Sequence, residues 1–474
     1  MIRFPALSVL LLAVAATPAF AEAPEPRPVL DIIGVETVHL DPEFWIAKLP
    51  APDEVLLDAR AIEAQNAKLF ALDDSMHDLE ALPPVLTRER VTGLIEDLVA
   101  PPDEPLFDAA GARVPDAAIG EIVANRNLDA IPDSRAVRYG LVVHRAALRS
   151  FPTELRVFDG PGDTDIDRFQ ESALFPGAPV TIAHESRDGQ WYFVVSERYA
   201  AWIDKRYVAQ GAAADVFGYA GRRPYRIVTG ATVETVYTPE EPALSELQLD
   251  MGVRLPLLPA WPDGELVNGQ HPFYGYVIEL PLRNPDGSLA LAPALLQRNT
   301  DTSGDYLPLT RANIIRQGFK FLGERYGWGH SYGARDCSGF VSEVYRSMGL
   351  IVPRNTSDQS VSPALDKRVF DETASRAERL QAVRSLDVGQ LVYIPGHVMM
   401  VIGHVDGEPW VIHDTTGFGY QSPDGELHRV GLNGVSVTPL LPLAANERDS
   451  YVDRMRSIVR VAQDSTREEE PPPL

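Results

Sequence analysis

The spacing of apolar and polar positions changes repeatedly along the 474 residues, and each change predicts a different kind of structure. An apolar run from Leu7 to Ala16 follows a cationic start at Arg3 and ends in Ala19-Phe20-Ala21, the layout of a secretory signal peptide (residues 1–21) cut after Ala21. That run is too short to cross a bilayer, and no later stretch approaches the ~20 apolar residues that a membrane span needs. A Pro- and Glu-rich leader from Glu22 to Pro28 predicts flexibility. From Asp41 to about Ile131 the spacing is helical, with Thr87 placed to cap a stretch carrying Val91, Leu94, Ile95, Leu98 and Val99. Prolines at 83–84 and 101–102 punctuate it, so residues 22–135 are expected to form a small, irregular helical domain.

From about Ala136 the period shortens to that of strands. Tyr139–His144, Pro179–His184, Trp191–Ser196 and Ala201–Ile203 are separated by turn residues such as Asp188-Gly189, which predicts a small β-barrel over 136–210. A second run of short strands, including Arg226–Val228, Gly252–Leu255 and Tyr274–Leu280, predicts a second and more divergent barrel over 222–299. Beyond Asp301 come a helix around Arg311–Glu324, a glycine-rich approach, another helix and then β-rich sequence, together a domain over 300–462. The tail, 463–474, ends in Glu-Glu-Glu-Pro-Pro-Pro-Leu and is expected to be disordered. The fold class is therefore multi-domain α+β.

The net charge of −24 becomes −25 after signal removal, because Arg3 is the one charged side chain lost. So acidic a surface argues against nucleic acid and against polyanionic wall polymers as bulk partners. An exported protein has access to disulfides, yet this chain has a single cysteine, so no intramolecular disulfide can form. None lies near the cleavage site to accept a lipid, and a free periplasmic or secreted protein is expected. A lone thiol there is either a buried structural residue or a functional one.

The neighbourhood of Cys337 favours function. Asp336 is a good helix N-cap, Phe340, Val341, Val344, Tyr345 and Met348 follow at helical spacing, and Gly349 supplies the stop. Cys337 thus falls in a first helical turn, where the dipole and unpaired amides favour a thiolate and are expected to lower its pKa. Gly327, Gly329 and Gly333 allow close approach of the backbone to a ligand. A nucleophilic cysteine needs a base and a group to orient it. Candidates are His397, His404 and His413. His404 stands at the end of its strand beside the Asp406-Gly407 turn and is set aside as solvated. A two-residue turn there pairs His413 with Met400, which puts it on the opposite face from His397; a bulge, strong twist or odd loop must bring the rings together. One cysteine with scattered histidines gives no closed ligand set, so neither metal nor other cofactor is implied.

Two resemblances follow. The phrases RSFPT, PGAPVTIAHESRDGQWYFV and SERYAAWID resemble a bacterial SH3 domain. The ordered motifs YGWGHSYGARDCSGFVSEVYRSMGL, PRNTSDQ, GHVMMVIG and VIHDTTG resemble the NlpC-type peptidases, papain-like enzymes that cut peptidoglycan stem peptides, in the multi-domain branch with paired SH3 domains. The resemblance implies Cys337 as nucleophile, His397 as general base and acid, and His413 as the orienting residue. It implies substrate contacts for Tyr326, Asp336, Ser338 and Thr356. The first SH3 domain of such enzymes closes one end of the groove with an acidic residue and a tyrosine around a free substrate amine; Tyr199 is the candidate tyrosine, the acidic residue is unplaced, and Asp336 is expected to keep one oxygen open to that amine. His330 departs from the family's usual glycine.

The implied activity is that of a cysteine peptidase hydrolysing the γ-D-glutamyl–diamino acid bond, preferring a free N-terminal L-Ala, with peptidoglycan stem peptides as partners and the oligomeric state, a monomer included, left open. Rival readings are a papain-like acyltransferase and a non-catalytic wall-binding SH3 scaffold.

Overall fold

The computed structural model describes residues 33–422 and 425–462. The expected signal peptide, the leader to Pro28 and the tail from 463 lie outside the described residues. No helix among the described residues is long and apolar enough to cross a membrane.

The N-terminal region has the expected helices but no core of its own. Helices α1 (Ala59–Leu72) and α2 (Arg88–Leu98) are capped by Asp58 and Thr87, whose side chains accept from Ala61 N and Arg90 N. Their apolar faces are divided. Trp45, Ile46, Leu57 and Ile62 join the core around Cys337. Val91 and Ile95 cover Phe193 and Trp202 of the following β domain, while Leu106 and Val114 pack on Phe151 and Phe169. Residues 55–57 even add a strand to residues 309–310. Short helices with narrow apolar stripes bury them most fully against larger neighbours, so the expected helical domain is instead a wrap over the others.

The next unit holds seven strands: β1 (Arg138–Val142), β2 (Ala146–Arg149), β3 (Gln170–Leu174), β4 (Pro179–Glu185), β5 (Trp191–Ser196), β6 (Tyr199–Asp204) and β7 (Val208–Gly211), in the order β7-β1-β4-β5-β6-β2-β3. Strand β5 is buried throughout because one face fills the barrel with Tyr192 and Val194 and the other lies under α2.

The second β region contains the expected strands, but they pair as separate small sheets rather than one continuous barrel sheet. Tyr225–Val228 lies between Arg254–Pro256 and Thr302–Ser303, Thr232–Glu234 pairs with Gln248–Asp250, and Gly275–Arg283 forms a hairpin with Leu289–Gln297. All share one core containing Val228, Leu249, Leu255, Ile278 and Leu296.

In the last domain, helices α3 (Arg311–Phe319) and α4 (Cys337–Arg346) cover one face of a sheet of seven strands. These are β8 (Asp366–Val369), β9 (Leu391–Ile394), β10 (His397–Val405), β11 (Glu408–Gln421), β12 (Leu427–Pro439), β13 (Leu443–Ala444) and β14 (Ser457–Arg460). Their order is β8-β14-β9-β10-β11-β12, with β13 against β11. Even-numbered positions Val398, Met400 and Ile412 face α4, meeting Phe340, Val341 and Val344. The odd-numbered Met399, Val401 and Val411 face a second core.

A buried ionic node fixes the three units around the start of α4. Arg335, fully buried, donates to Glu343 (2.7 Å), Glu324 (2.7 Å) and Asp250 of the second β region (2.8 Å). Arg145, between β1 and β2, donates to the carbonyls of His330 (2.8 Å) and Ala334 (2.6 Å). Removing one member would strand a buried charge, a loss of roughly 3–5 kcal/mol.

Candidate active site

The approach to α4 is a tight turn over Trp328–Gly333. Gly329 takes a left-handed conformation (φ 56°), and a Cβ there would lie 2.8 Å from the side chain of Gln170 and 3.0 Å from the backbone of Glu171, so glycine lets the turn press against β3. His330, the residue that departs from the glycine expected of the resemblance, also sits at positive φ (64°). Histidine tolerates this region better than most residues, and its ring is fully used: Nδ1 lies 2.8 Å from Arg354 Nη2, and Nε2 lies 3.0 Å from Glu343. With Arg354 donating to Nδ1, Nε2 carries the proton and donates to Glu343.

Asp336 caps α4 as expected, its Oδ1 accepting from Gly339 N (2.8 Å). Cys337 is therefore the first helical residue, buried against β10, with the backbone amide of Val398 directed at its sulfur. Val398 is the neighbour of His397. The parity conflict between His397 and His413 is resolved by a bulge. Strand β10 pairs Gly403 with Trp410 but Val401 with Val411, which leaves Ile402 as an extra residue. That single insertion moves His413 onto the odd-numbered face shared with His397. His397 Nε2 and His413 Nδ1 then lie 2.8 Å apart, and His413 Nε2 is 3.0 Å from Thr438 Oγ1 on β12. If His413 donates to Thr438, its Nδ1 accepts from His397 Nε2–H, which leaves His397 Nδ1 as a free base. Tyr451 packs edge-on against His397, ring centroids 6.4 Å apart.

Electrostatics differ from the expectation for a first-turn thiol. Burial pushes the Cys337 thiol up to about 12, aided by the nearby Asp336 carboxylate and opposed by the Val398 amide. Burial also pushes His397 down to about 4 and His413 well below its ordinary value. Desolvation of both charged forms outweighs the helix terminus, so the resting pair is neutral thiol and neutral imidazole rather than an ion pair.

The other expected residues are drawn to the same end of α4, in altered roles. Tyr326 lines the groove beside His397, and burial together with Cys337 and Asp336 raises its hydroxyl's pKa. Asp336 has no oxygen left open: Oδ1 accepts from Gly339 N, Ser338 and Arg354, and Oδ2 from Gly329 N (3.0 Å) and Arg354 (2.8 Å). The expected amine contact at Asp336 is therefore corrected to an internal one, because the buried Arg354 claims the carboxylate. Ser338 is buried and held by the same arginine (2.8 Å). Thr356 opens the short helix Thr356–Val361, half-buried, and its hydroxyl has no hydrogen bond to the described residues. His404 is half-buried at the turn end of β10, paired with Pro409.

Tyr199 donates to Glu171 Oε2 (2.5 Å), and Ser150 donates to the other oxygen. Glu171, on β3 against Gly329, is thus an acidic group held beside Tyr199, where the sequence placed none. Spacing could not find it, because Glu171 and Tyr199 meet only when β3 and β6 close the barrel. Asp414 was also missed. It follows His413 on β11, is fully buried, and neither carboxyl oxygen has a hydrogen-bond partner among the described residues.

With this geometry in view, residues 323–429 match the NlpC/P60 family and residues 156–204 match an SH3 domain of SH3b1 type. A gamma-D-glutamyl-L-lysine dipeptidyl-peptidase from Bacillus cereus (strain ATCC 10987 / NRS 248) is 27% identical over 211 residues, which cover 42% of this chain and 56% of that relative. The match thus spans little more than half of the relative's length. The solved structure of an NlpC/P60 endopeptidase from Photobacterium damselae subsp. piscicida superposes with a TM-score of 0.72 at 17% identity, covering 89% of this chain and 97% of the other. That likeness is one of fold.

Proposed function

We propose, for a chain that carries an NlpC/P60 cell-wall peptidase domain beside an SH3b domain, that it hydrolyses the bond between γ-D-glutamate and the diamino acid of peptidoglycan stem peptides whose N-terminal amine is free. The observation that carries this reading is the placement of Cys337 at the head of α4, facing the amide of Val398, whose neighbour His397 begins the His397–His413–Thr438 relay. The name of the Bacillus cereus relative supports the choice of bond, and the Glu171–Tyr199 pair beside the Gly329 turn that leads into α4 supports the free amine.

In this mechanism the Cys337 proton passes to His397 Nδ1 as sulfur bonds to the γ-glutamyl carbonyl carbon. Starting from neutral partners, transfer and attack occur together. The oxyanion faces amides at the start of α4. Collapse breaks the C–N bond, and the Nδ1 proton leaves with the amine. Water then adds to the thioester, giving its proton to His397, and the acid departs as the proton returns to sulfur. His413 holds the base in its Nε2–H tautomer. Glu171 accepts the substrate ammonium in a charge-assisted hydrogen bond, with Tyr199 fixing the carboxylate. The same reading takes residues 1–21 as removed on export and the second β region as a divergent SH3-like unit.

The test incubates the protein from residue 22 onward with L-Ala-γ-D-Glu-diaminopimelate and with its N-acetylated form, using Cys337→Ala as control and mass spectrometry as readout. Release of L-Ala-D-Glu is expected, lost in the control and slowed about 10-fold or more by acetylation, since the half-buried Glu171 would lose a charge-assisted hydrogen bond to the substrate ammonium. No release from either peptide would sink the hydrolysis, and equal rates would remove the amine subsite.

A further inference from the structure

The groove onto which His397 opens has a volume of about 560 Å³ and is walled by Tyr326, Trp328, Tyr451 and the Thr415–Gly419 stretch of β11. It contains none of Asp336, Glu171, Tyr199 or Arg354. Its permanently charged lining residues are Arg429 on β12 and Arg454 after Tyr451. Both are exposed, and neither makes a side-chain hydrogen bond or ion pair with the described residues. The carboxylate beside Arg454, Asp453, is taken by Arg376. In a chain with 67 acidic and 43 basic residues, two uncompensated guanidinium groups on one groove run against the bulk charge, and a guanidinium fork matches carboxylate geometry.

We propose that Arg429 and Arg454 form the subsite for the leaving group and select a diamino acid bearing two free carboxylates, the diaminopimelate class, over one bearing a single carboxylate such as lysine. This rests on the hydrolytic reading above, in which His397 hands its proton to the leaving amine and so places that half of the substrate in this groove. The site is then polar along its length: Glu171 faces an ammonium at one end, and the arginines face carboxylates at the other. One peptide orientation satisfies both ends.

The experiment compares L-Ala-γ-D-Glu-diaminopimelate, its analogue with both diaminopimelate carboxyls amidated, and the lysine tripeptide, in wild type and in Arg429→Gln, Arg454→Gln and the double variant. kcat/KM for the dicarboxylate peptide should exceed that for the diamide about 10-fold or more, mainly through KM, with the lysine peptide between them; the double variant should bring the ratio to one. Equal wild-type rates for the dicarboxylate and the diamide, or variants that slow all three peptides alike, would overturn the subsite. Calorimetric binding of the same peptides to Cys337→Ala separates the two readings. Arginine-dependent preference in binding without wild-type turnover would sink hydrolysis and leave the subsite standing, whereas turnover with no preference would sink the subsite alone.

Discussion

Asp414 offers a test of the electrostatics that needs no substrate. It lies on the even-numbered face of β11, next in line after Ile412, pressed toward α4 with no exposure and no hydrogen-bond partner among the described residues. Burial, then the carboxylates of Asp336 and Glu324, push its carboxyl from an ordinary 3.8 to about 9, and Arg335 offsets only part of this. A raised carboxyl is held protonated by the fold. The unfolded chain ionises above pH ~4 but the native state only near 9, so its contribution to stability is intact below pH ~4 and is lost progressively as pH rises toward 9.

Asp414→Asn keeps the size and polarity of the protonated acid and removes the titration. Each pH unit between the two titrations is worth about 1.4 kcal/mol, so the variant's gain should grow by about 3 kcal/mol between pH 5.5 and pH 8. Urea unfolding of both proteins at the two pH values, followed by tryptophan fluorescence, gives that difference; all other titrations are common to the pair and cancel. A gain that is the same at both pH values, or a variant less stable at both, would show that Asp414 is ionised and paired, and the argument would fail.

Two further predictions concern the groups proposed as catalytic. Iodoacetamide should label Cys337 at pH 7 about 10³-fold more slowly than a free thiol of pKa ~8.5, with a rate rising tenfold per pH unit and no plateau below pH ~11; a plateau by neutral pH would restore the ion pair expected from the helix terminus alone. His397→Ala should abolish peptide release as completely as Cys337→Ala, about 10⁴-fold or more, while His413→Ala, which loses only the tautomer control, should cost about 10²-fold, each read as kcat on the diaminopimelate tripeptide with melting temperature as the folding control.

Much of the site was legible because its signals are local. The cap at Asp336, the 3.6-residue spacing from Phe340 to Tyr345 and the stop at Gly349 depend on neighbours within a few turns, and the helix forms where they place it. The turn at Asp406-Gly407 and the strands on either side are likewise determined by residues within reach of one another. What the sequence by itself determined was therefore the set of elements, the seat of the lone thiol and the histidines able to serve it.

Tertiary structure decided how those elements meet. The bulge at Ile402 is invisible in the alternation of its own strand, because every residue from Val398 to Ile402 is buried and apolar on both faces. The same packing divided the N-terminal helices among other domains' cores. Glu171 lies 166 positions from Cys337, and Arg354 reaches across a domain boundary to Ser172. Whether the thiol rests as an anion was also beyond the local signals: a helix terminus favours charge within one turn, but desolvation depends on everything packed around the group, and here it is the larger effect.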